Sequence, residues 1–214
     1  VMDTGSPVSF ARDSARTLSL SPWHNLASEL SADYGVTELR RDTGVPVDGL
    51  LGRDVLDAYA WRWDLRAGIA NMQPPVPRRE TVVPLVLSDS LGAWLVTFGT
   101  ANWQIPQAVF DTGAQISYIP GLHVGRPPGR RRRDFLPGVG SFDVETRASV
   151  FVLAGERVWL ETADSWVLPG RLRDVAIIGG ELLRHFIVDY RPTTATLGLT
   201  PFSVRSTQQC QTNQ

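Results

Sequence analysis

The sequence predicts a mainly β protein built from two related lobes, with a few short helices. Three observations predict it: a set of motifs that occurs twice in the same order, runs of β-branched and aromatic residues separated by Gly-containing turns, and a proline-rich break between the two copies. Val1-Met2-Asp3-Thr4-Gly5-Ser6 returns as Val109-Phe110-Asp111-Thr112-Gly113-Ala114, two apolar residues followed by Asp-Thr-Gly and a small residue. Gly49-Leu50-Leu51-Gly52-Arg53-Asp54-Val55-Leu56 returns as Ile177-Ile178-Gly179-Gly180-Glu181-Leu182-Leu183, and Asp64-Leu65-Arg66 is echoed by Asp189-Tyr190-Arg191. From Asp3 to Gly52 is 49 residues and from Asp111 to Gly179 is 68, so the copies share a plan and differ by a 19-residue insertion.

In chain order, Ser21-Pro22 offers an N-cap followed by proline at the first helical position, which predicts a short helix over Trp23 to Leu30. Arg41-Asp42-Thr43-Gly44-Val45 holds a third Asp-Thr-Gly, but it follows charged residues and is read as a loop. Trp61 and Trp63 alternate along an expected strand and so share one face of a sheet. Asn71 to Arg79 reads as a linker, because three prolines in four residues remove amide donors and fix an extended backbone. The lobes are therefore set at 1–78 and 79–205, with a polar tail at 206–214. Thr81 to Leu87 and Ala93 to Phe98 read as a hairpin around Ser88 to Gly92, leading to Gln107 to Phe110. Phe142 to Leu153 and Glu156 to Thr162 read as two more strands around Ala154-Gly155.

Composition then removes whole chemistries. The 214 residues are 43% hydrophobic and 20% charged, a globular balance with enough length for a sizeable core. No apolar run approaches the ~18 residues of a membrane span, and a net charge of −1 supplies no global field for nucleic acid or an anionic membrane. All 21 basic residues are Arg, so Walker-type phosphate loops, Schiff-base and pyridoxal-phosphate enzymes lack their lysine. Cys210 alone makes neither an intrachain disulfide nor a Cys-rich zinc site, and His24, His123 and His185 are scattered. Neither a metal nor a cofactor is expected. No Gly-x-Ser-x-Gly elbow supports a serine hydrolase. No signal peptide is visible, and the compartment stays unread.

Asp-Thr-Gly after two apolar residues suggests a carboxylate at the end of a buried strand, with glycine allowing the turn. Two related lobes would bring Asp3 and Asp111 together, and two carboxyls sharing a site hold one proton between them. Such a pair titrates as a unit and can hydrolyse an amide without metal or covalent intermediate.

These residues resemble the aspartic peptidases, and the retropepsin branch with its bacterial single-chain relatives more than the longer pepsins. The 108 residues between the aspartates resemble two retropepsin protomers fused head to tail. The resemblance implies a two-lobe acid-protease barrel with pseudo-two-fold symmetry, Asp3 and Asp111 as catalytic dyad, and Thr4, Gly5, Thr112 and Gly113 as its supports. Leu136-Pro137-Gly138-Val139-Gly140-Ser141-Phe142 is similar to the Gly-rich flap tip, which implies that Gly138, Val139, Gly140, Ser141 and Phe142 cover substrate. It implies peptide or protein as substrate and a monomer as the working unit, since one chain carries both aspartates.

The first lobe departs from that pattern twice. It has no Gly-rich hairpin between Asp3 and Gly52, so a single flap is expected, and no strand precedes Val1. Either an upstream segment or the run Ala195 to Val204 is expected to supply that strand. Arg130 to Arg133, with Arg126 before it, is read as a solvated loop at the flap's base, without the interleaved aromatics that single-stranded nucleic acid needs. The alternative to a working peptidase is a retropepsin-like module kept for peptide binding or assembly after loss of catalysis.

Overall fold

The structure, a computed structural model, describes residues 1–7, 9–11, 35–72, 80–99, 104–136 and 139–202. It is mainly β. The strands are β1 (Phe10–Ala11), β2 (Gly49–Leu50), β3 (Trp61–Asp64), β4 (Ile69–Met72), β5 (Thr81–Ser88), β6 (Ala93–Gly99), β7 (Gln104–Asp111), β8 (Ser117–Tyr118), β9 (Arg130–Leu136), β10 (Gly140–Leu153), β11 (Glu156–Ala163), β12 (Ala176–Gly179), β13 (Phe186–Arg191) and β14 (Thr196–Pro201). Two helices, α1 (Val36–Thr43) and α2 (Arg53–Leu56), and several 3-10 turns complete the described elements. β1 and β2 pair antiparallel, and the other twelve strands form one sheet in the order β4-β3-β13-β14-β5-β6-β7-β12-β8-β11-β10-β9.

β12 shows why the sheet centre reads as it does in sequence. It lies parallel to β7 and also contacts β8, so all four of Ala176-Ile177-Ile178-Gly179 are buried and the strand is an unbroken apolar run. Successive residues point to opposite faces, which separates two apolar clusters. Ala108, Phe110 and Ile178 join Phe151, Tyr190, Leu197 and Leu199 in the first, while Val109 and Ile177 join Leu95, Ile116, Tyr118 and Val144 in the second. The β10–β11 hairpin turns through Ala154 and Gly155, both at positive φ (54° and 80°), the two-residue turn that suits twisted strands.

The early and late parts of the chain meet at β3 and β13, with Val188 opposite Trp63 and Tyr190 opposite Trp61. Trp63 stacks on Tyr190 at 5.4 Å between ring centroids. Arg62 donates to both oxygens of the fully buried Asp189 at 2.9 and 3.1 Å, and Arg191 grips Glu80 at 2.8 and 2.7 Å. Asp57, after α2, accepts from Arg53, from the Trp94 indole and from the Tyr190 hydroxyl, tying the first Gly motif to later strands.

Several expectations change. The linker begins later than expected, because Asn71 and Met72 belong to β4, paired with Arg62 and Trp61. Asp42 and Thr43 are helical, not loop: they end α1, and Gly44 at φ 68° caps it by donating to the Arg40 carbonyl. The described part of the Ala195 to Val204 run does not flank Val1, since β14 pairs with β13 and β5. The strand beside Val1 to Asp3 is Gly49 to Leu51, through Val1 N to Gly49 O (3.0 Å), Leu51 N to Val1 O (2.8 Å) and Asp3 N to Leu51 O (2.9 Å). Trp61 and Trp63 both pack on the first cluster, as their alternation predicts. The Trp23 to Leu30 helix, the prolines of the linker and the 206–214 tail lie outside the described residues. No helix among the described residues is long and apolar enough to cross a membrane.

Candidate active site

β7 carries Asp111 at its C-terminal end, and the extended Val1-Met2 carries Asp3. The two loops that follow interlock reciprocally. Thr4 N donates to Thr112 Oγ1 at 3.1 Å and Thr112 N donates to Thr4 Oγ1 at 3.0 Å. Each hydroxyl then donates to the backbone ahead of the opposite aspartate, Thr4 Oγ1 to Phe110 O at 2.7 Å and Thr112 Oγ1 to Met2 O at 3.0 Å. Each threonine thus spends its hydroxyl as donor and acceptor on the other loop, and the separation of the two aspartates is set by four hydrogen bonds.

Within each loop one carboxylate oxygen is held by two amides. Asp3 Oδ1 accepts from Gly5 N (2.9 Å) and Ser6 N (3.0 Å), and Asp111 Oδ1 accepts from Gly113 N (2.9 Å) and Ala114 N (3.2 Å). The glycines are required by close approach. A Cβ on Gly5 would fall 2.4 Å from the carboxyl carbon of Asp111, and one on Gly113 would fall 2.4 Å from that of Asp3. Asp3 and Asp111 are therefore neighbours, each packed against the other's glycine.

The second motif backs each loop in the same register. Gly179 lies opposite Asp111 in the parallel β7–β12 pair, and Met2 bridges Leu51 in parallel, which puts Gly52 opposite Asp3. The antiparallel pairs match too, Tyr118 with Ile177 and Phe10 with Leu50. Ser9 and Ser117 complete the correspondence and were not singled out from sequence. Gly52 N donates to Ser9 Oγ at 2.8 Å and Gly179 N donates to Ser117 Oγ at 3.0 Å. Both serines stand six residues after their aspartate, a regularity present in the repeat itself.

Electrostatically, Asp3 is held well above the ordinary carboxyl range. Burial is the largest cause, followed by the charge of Asp111 and a hydrogen bond with its side chain, against the amides of Ser6 and Gly5. A carboxyl that keeps its proton beside a second carboxyl can donate a hydrogen bond while its neighbour accepts one.

The segment with the flap-like sequence is the turn between β9 and β10. Val139 N donates to Leu136 O at 3.0 Å, Val139 is exposed, and Gly140 takes φ 90°. Ser141 is exposed, whereas Phe142 is half-buried against the second apolar cluster; Gly138 lies outside the described residues. Arg130 to Arg133 are strand β9 and not a loop, because they pair with Glu145, Val144 and their neighbours on β10. Arg131 reaches Asp143 at 2.6 Å on the outer face, and Arg132 turns inward to Glu161 at 3.3 Å.

A cavity of about 540 Å³ begins at Thr112 to Gln115 and runs to the β3–β4 hairpin and Arg184. The two aspartates do not line it; it flanks their loop. Trp63, Arg132, Glu161 and Glu181 are among the residues that line it. No protein-family model matches the chain, and no curated protein matches it either.

Proposed function

We propose that the chain is an aspartic endopeptidase with the two-lobe acid-protease architecture, which hydrolyses peptide bonds with a water held between Asp3 and Asp111. The observation that carries this reading is the reciprocal Thr4–Thr112 interlock, with each glycine packed against the opposite carboxyl. Two carboxyls repel whenever both ionise; four hydrogen bonds between their loops hold these two together, and the glycines leave room for the close approach. Its chemistry follows from one shared proton.

Asp3 holds that proton and donates it to the oxygen of the scissile amide, while the Asp111 carboxylate takes a proton from water as the water oxygen attacks the carbonyl carbon. The product is a neutral gem-diol. Asp111 then passes its proton to the amide nitrogen, the C–N bond breaks, and a diol hydroxyl returns its proton to Asp3 as the carboxylic acid product forms. Protons balance and the pair returns to its starting state. In this reading extended peptide lies beside the loops, under the β9–β10 hairpin, and one chain suffices because it carries both aspartates.

The test is a diverse peptide mixture incubated with the full chain and with Asp111→Asn across pH, with cleaved bonds read by mass spectrometry. Cleavage at acidic pH that a statine-type mimic blocks and Asp111→Asn loses is expected. Peptide binding without cutting in the wild-type chain would replace this reading with that of a binding module.

A further inference from the structure

We infer that the hydrogen bond from Tyr118 to Asp134 is a latch that holds the β9–β10 hairpin against the exit strand of the Asp111 loop, making Tyr118 a positioning residue for substrate. As a statement about catalysis it rests on the peptidase reading; as a statement about the hairpin it does not.

The hairpin is anchored at one end only. From Thr146 to Leu153, β10 has eight paired residues on β11, but from Gly140 to Glu145 its partner among the described residues is β9 alone. β9 in turn pairs, among the described residues, with β10 alone. The outer half is therefore a two-stranded arm, and an isolated two-stranded hairpin is marginally stable in water. What keeps it down must come from its inward side chains. Arg132, Asp134 and Leu136 share one face of β9, with Phe142 and Val144 opposite Asp134 and Arg132 on β10.

Among the described residues two polar ties leave that face, from Arg132 and from Asp134. Arg132 to Glu161 spans 3.3 Å between partly exposed groups, where solvent screens the attraction. Asp134 instead accepts from the hydroxyl of Tyr118, whose ring is 3% exposed. A buried phenol needs an acceptor, and here the acceptor is charged, which strengthens the bond. Burial and then Asp134 itself push the phenol's proton affinity upward, so it remains a donor.

Position gives this tie its leverage. Asp134 lies two residues before Leu136, where the hairpin begins to turn. Tyr118 lies directly after Ser117, which holds Gly179 N, and it bridges Ile177 on the strand opposite the Asp111 loop. One bond thus joins the arm to the same short strand that braces the carboxylate loop.

Hydrogen exchange of the full chain, wild type against Tyr118→Phe and without substrate, tests this. Loss of the latch is expected to speed exchange about tenfold over residues 134–136 and 139–145 while 146–153 keep their protection. In peptide cleavage KM rises about tenfold, kcat stays within about twofold and the pH profile does not move. Asp134→Asn, whose amide oxygen still accepts, keeps most of the protection. Unchanged exchange in Tyr118→Phe overturns the latch, and so does equal acceleration across 134–153, which would mark general loosening. A wild-type chain that cuts no peptide, with the exchange difference intact, overturns the peptidase reading alone.

Discussion

Asp3 and Asp111 sit in loops that agree bond for bond, yet the chain around them is built differently. Asp111 ends an eight-residue strand with β6 on one side and β12 on the other. Asp3 follows an extended segment with three backbone hydrogen bonds to Gly49 to Leu51, two of which make the isolated Met2–Leu51 bridge. Between aspartate and glycine motif the second half places the β9–β10–β11 strands, whereas the first half has α1 among its described residues. What is held in common is the set of contacts that brings the two aspartates together; the scaffolding that delivers them is free to differ. After the Asp111 loop β8 pairs with both β11 and β12, whereas after the Asp3 loop β1 pairs, among the described residues, with β2 alone, so the Asp111 side should be the more rigid of the two.

Glycine substitution gives the largest effect and separates the two sides. Gly5→Ala drives a Cβ toward Asp111, which its strand holds in place, while Gly113→Ala drives one toward Asp3, which has less to hold it. Both changes are expected to lower cleavage at least about 100-fold, because displacing a reacting carboxyl by an ångström costs that much. Gly5→Ala should also lose more stability, about 1–3 kcal/mol as an overpacked site, than Gly113→Ala. Thermal melts of the two variants check the order, and the reverse order would mean that Asp3 is the fixed partner.

A second effect concerns the proton. Burial and Asp111 raise the proton affinity of Asp3 in the folded chain above that of the unfolded chain. Its stabilising contribution is therefore complete below the unfolded carboxyl range, about 3.9, and is lost as pH rises through the raised value. Near neutral pH, Asp3→Asn removes that loss and should raise Tm by about 2–6 °C while abolishing cleavage. At pH 3.5 the gain should disappear. Calorimetry at the two pH values reads it directly, and a gain of equal size at both would place its origin elsewhere than in the proton.

How much of this was legible in the sequence differs by region. The pairing of the two aspartate loops and their glycine strands was legible because the repeat preserves identity and order, and backbone register then follows from the alignment of Asp3 with Asp111 and Gly52 with Gly179. α1 was not, since its turn-like Asp-Thr-Gly and charged Arg40-Arg41 carry no helical stripe beyond Val36 and Leu39. The arginine run reads as a loop in the sequence because charge suggests solvent, but on an arm with one exposed face arginines fit a strand. Asp57 binds Tyr190 across 133 residues and Tyr118 binds Asp134 across 16. Both are products of topology, which no local pattern records.

Ser9 and Ser117 are the smallest test and the one in which the halves diverge within a shared contact. Each hydroxyl accepts from the buried amide of its glycine strand, so truncation leaves that amide unpaired. Ser117→Ala should cost about 1–3 kcal/mol on that ground alone. Ser9 has a further bond, donating to Asp54 Oδ1 at 2.5 Å, with its own amide on Oδ2 at 3.0 Å. Glu181, at the same offset in the second copy, turns away and accepts from Glu161 N at 2.5 Å. Ser9→Ala should therefore cost about 1 kcal/mol more than Ser117→Ala, about 2–4 °C in Tm for a chain of this length. That surplus should vanish when both are compared in an Asp54→Ala background. A surplus that survives would mean that Asp54 does not hold the weaker side, and the bracing of Asp3 would then rest on the Gly49 to Leu51 backbone and the Thr4–Thr112 interlock.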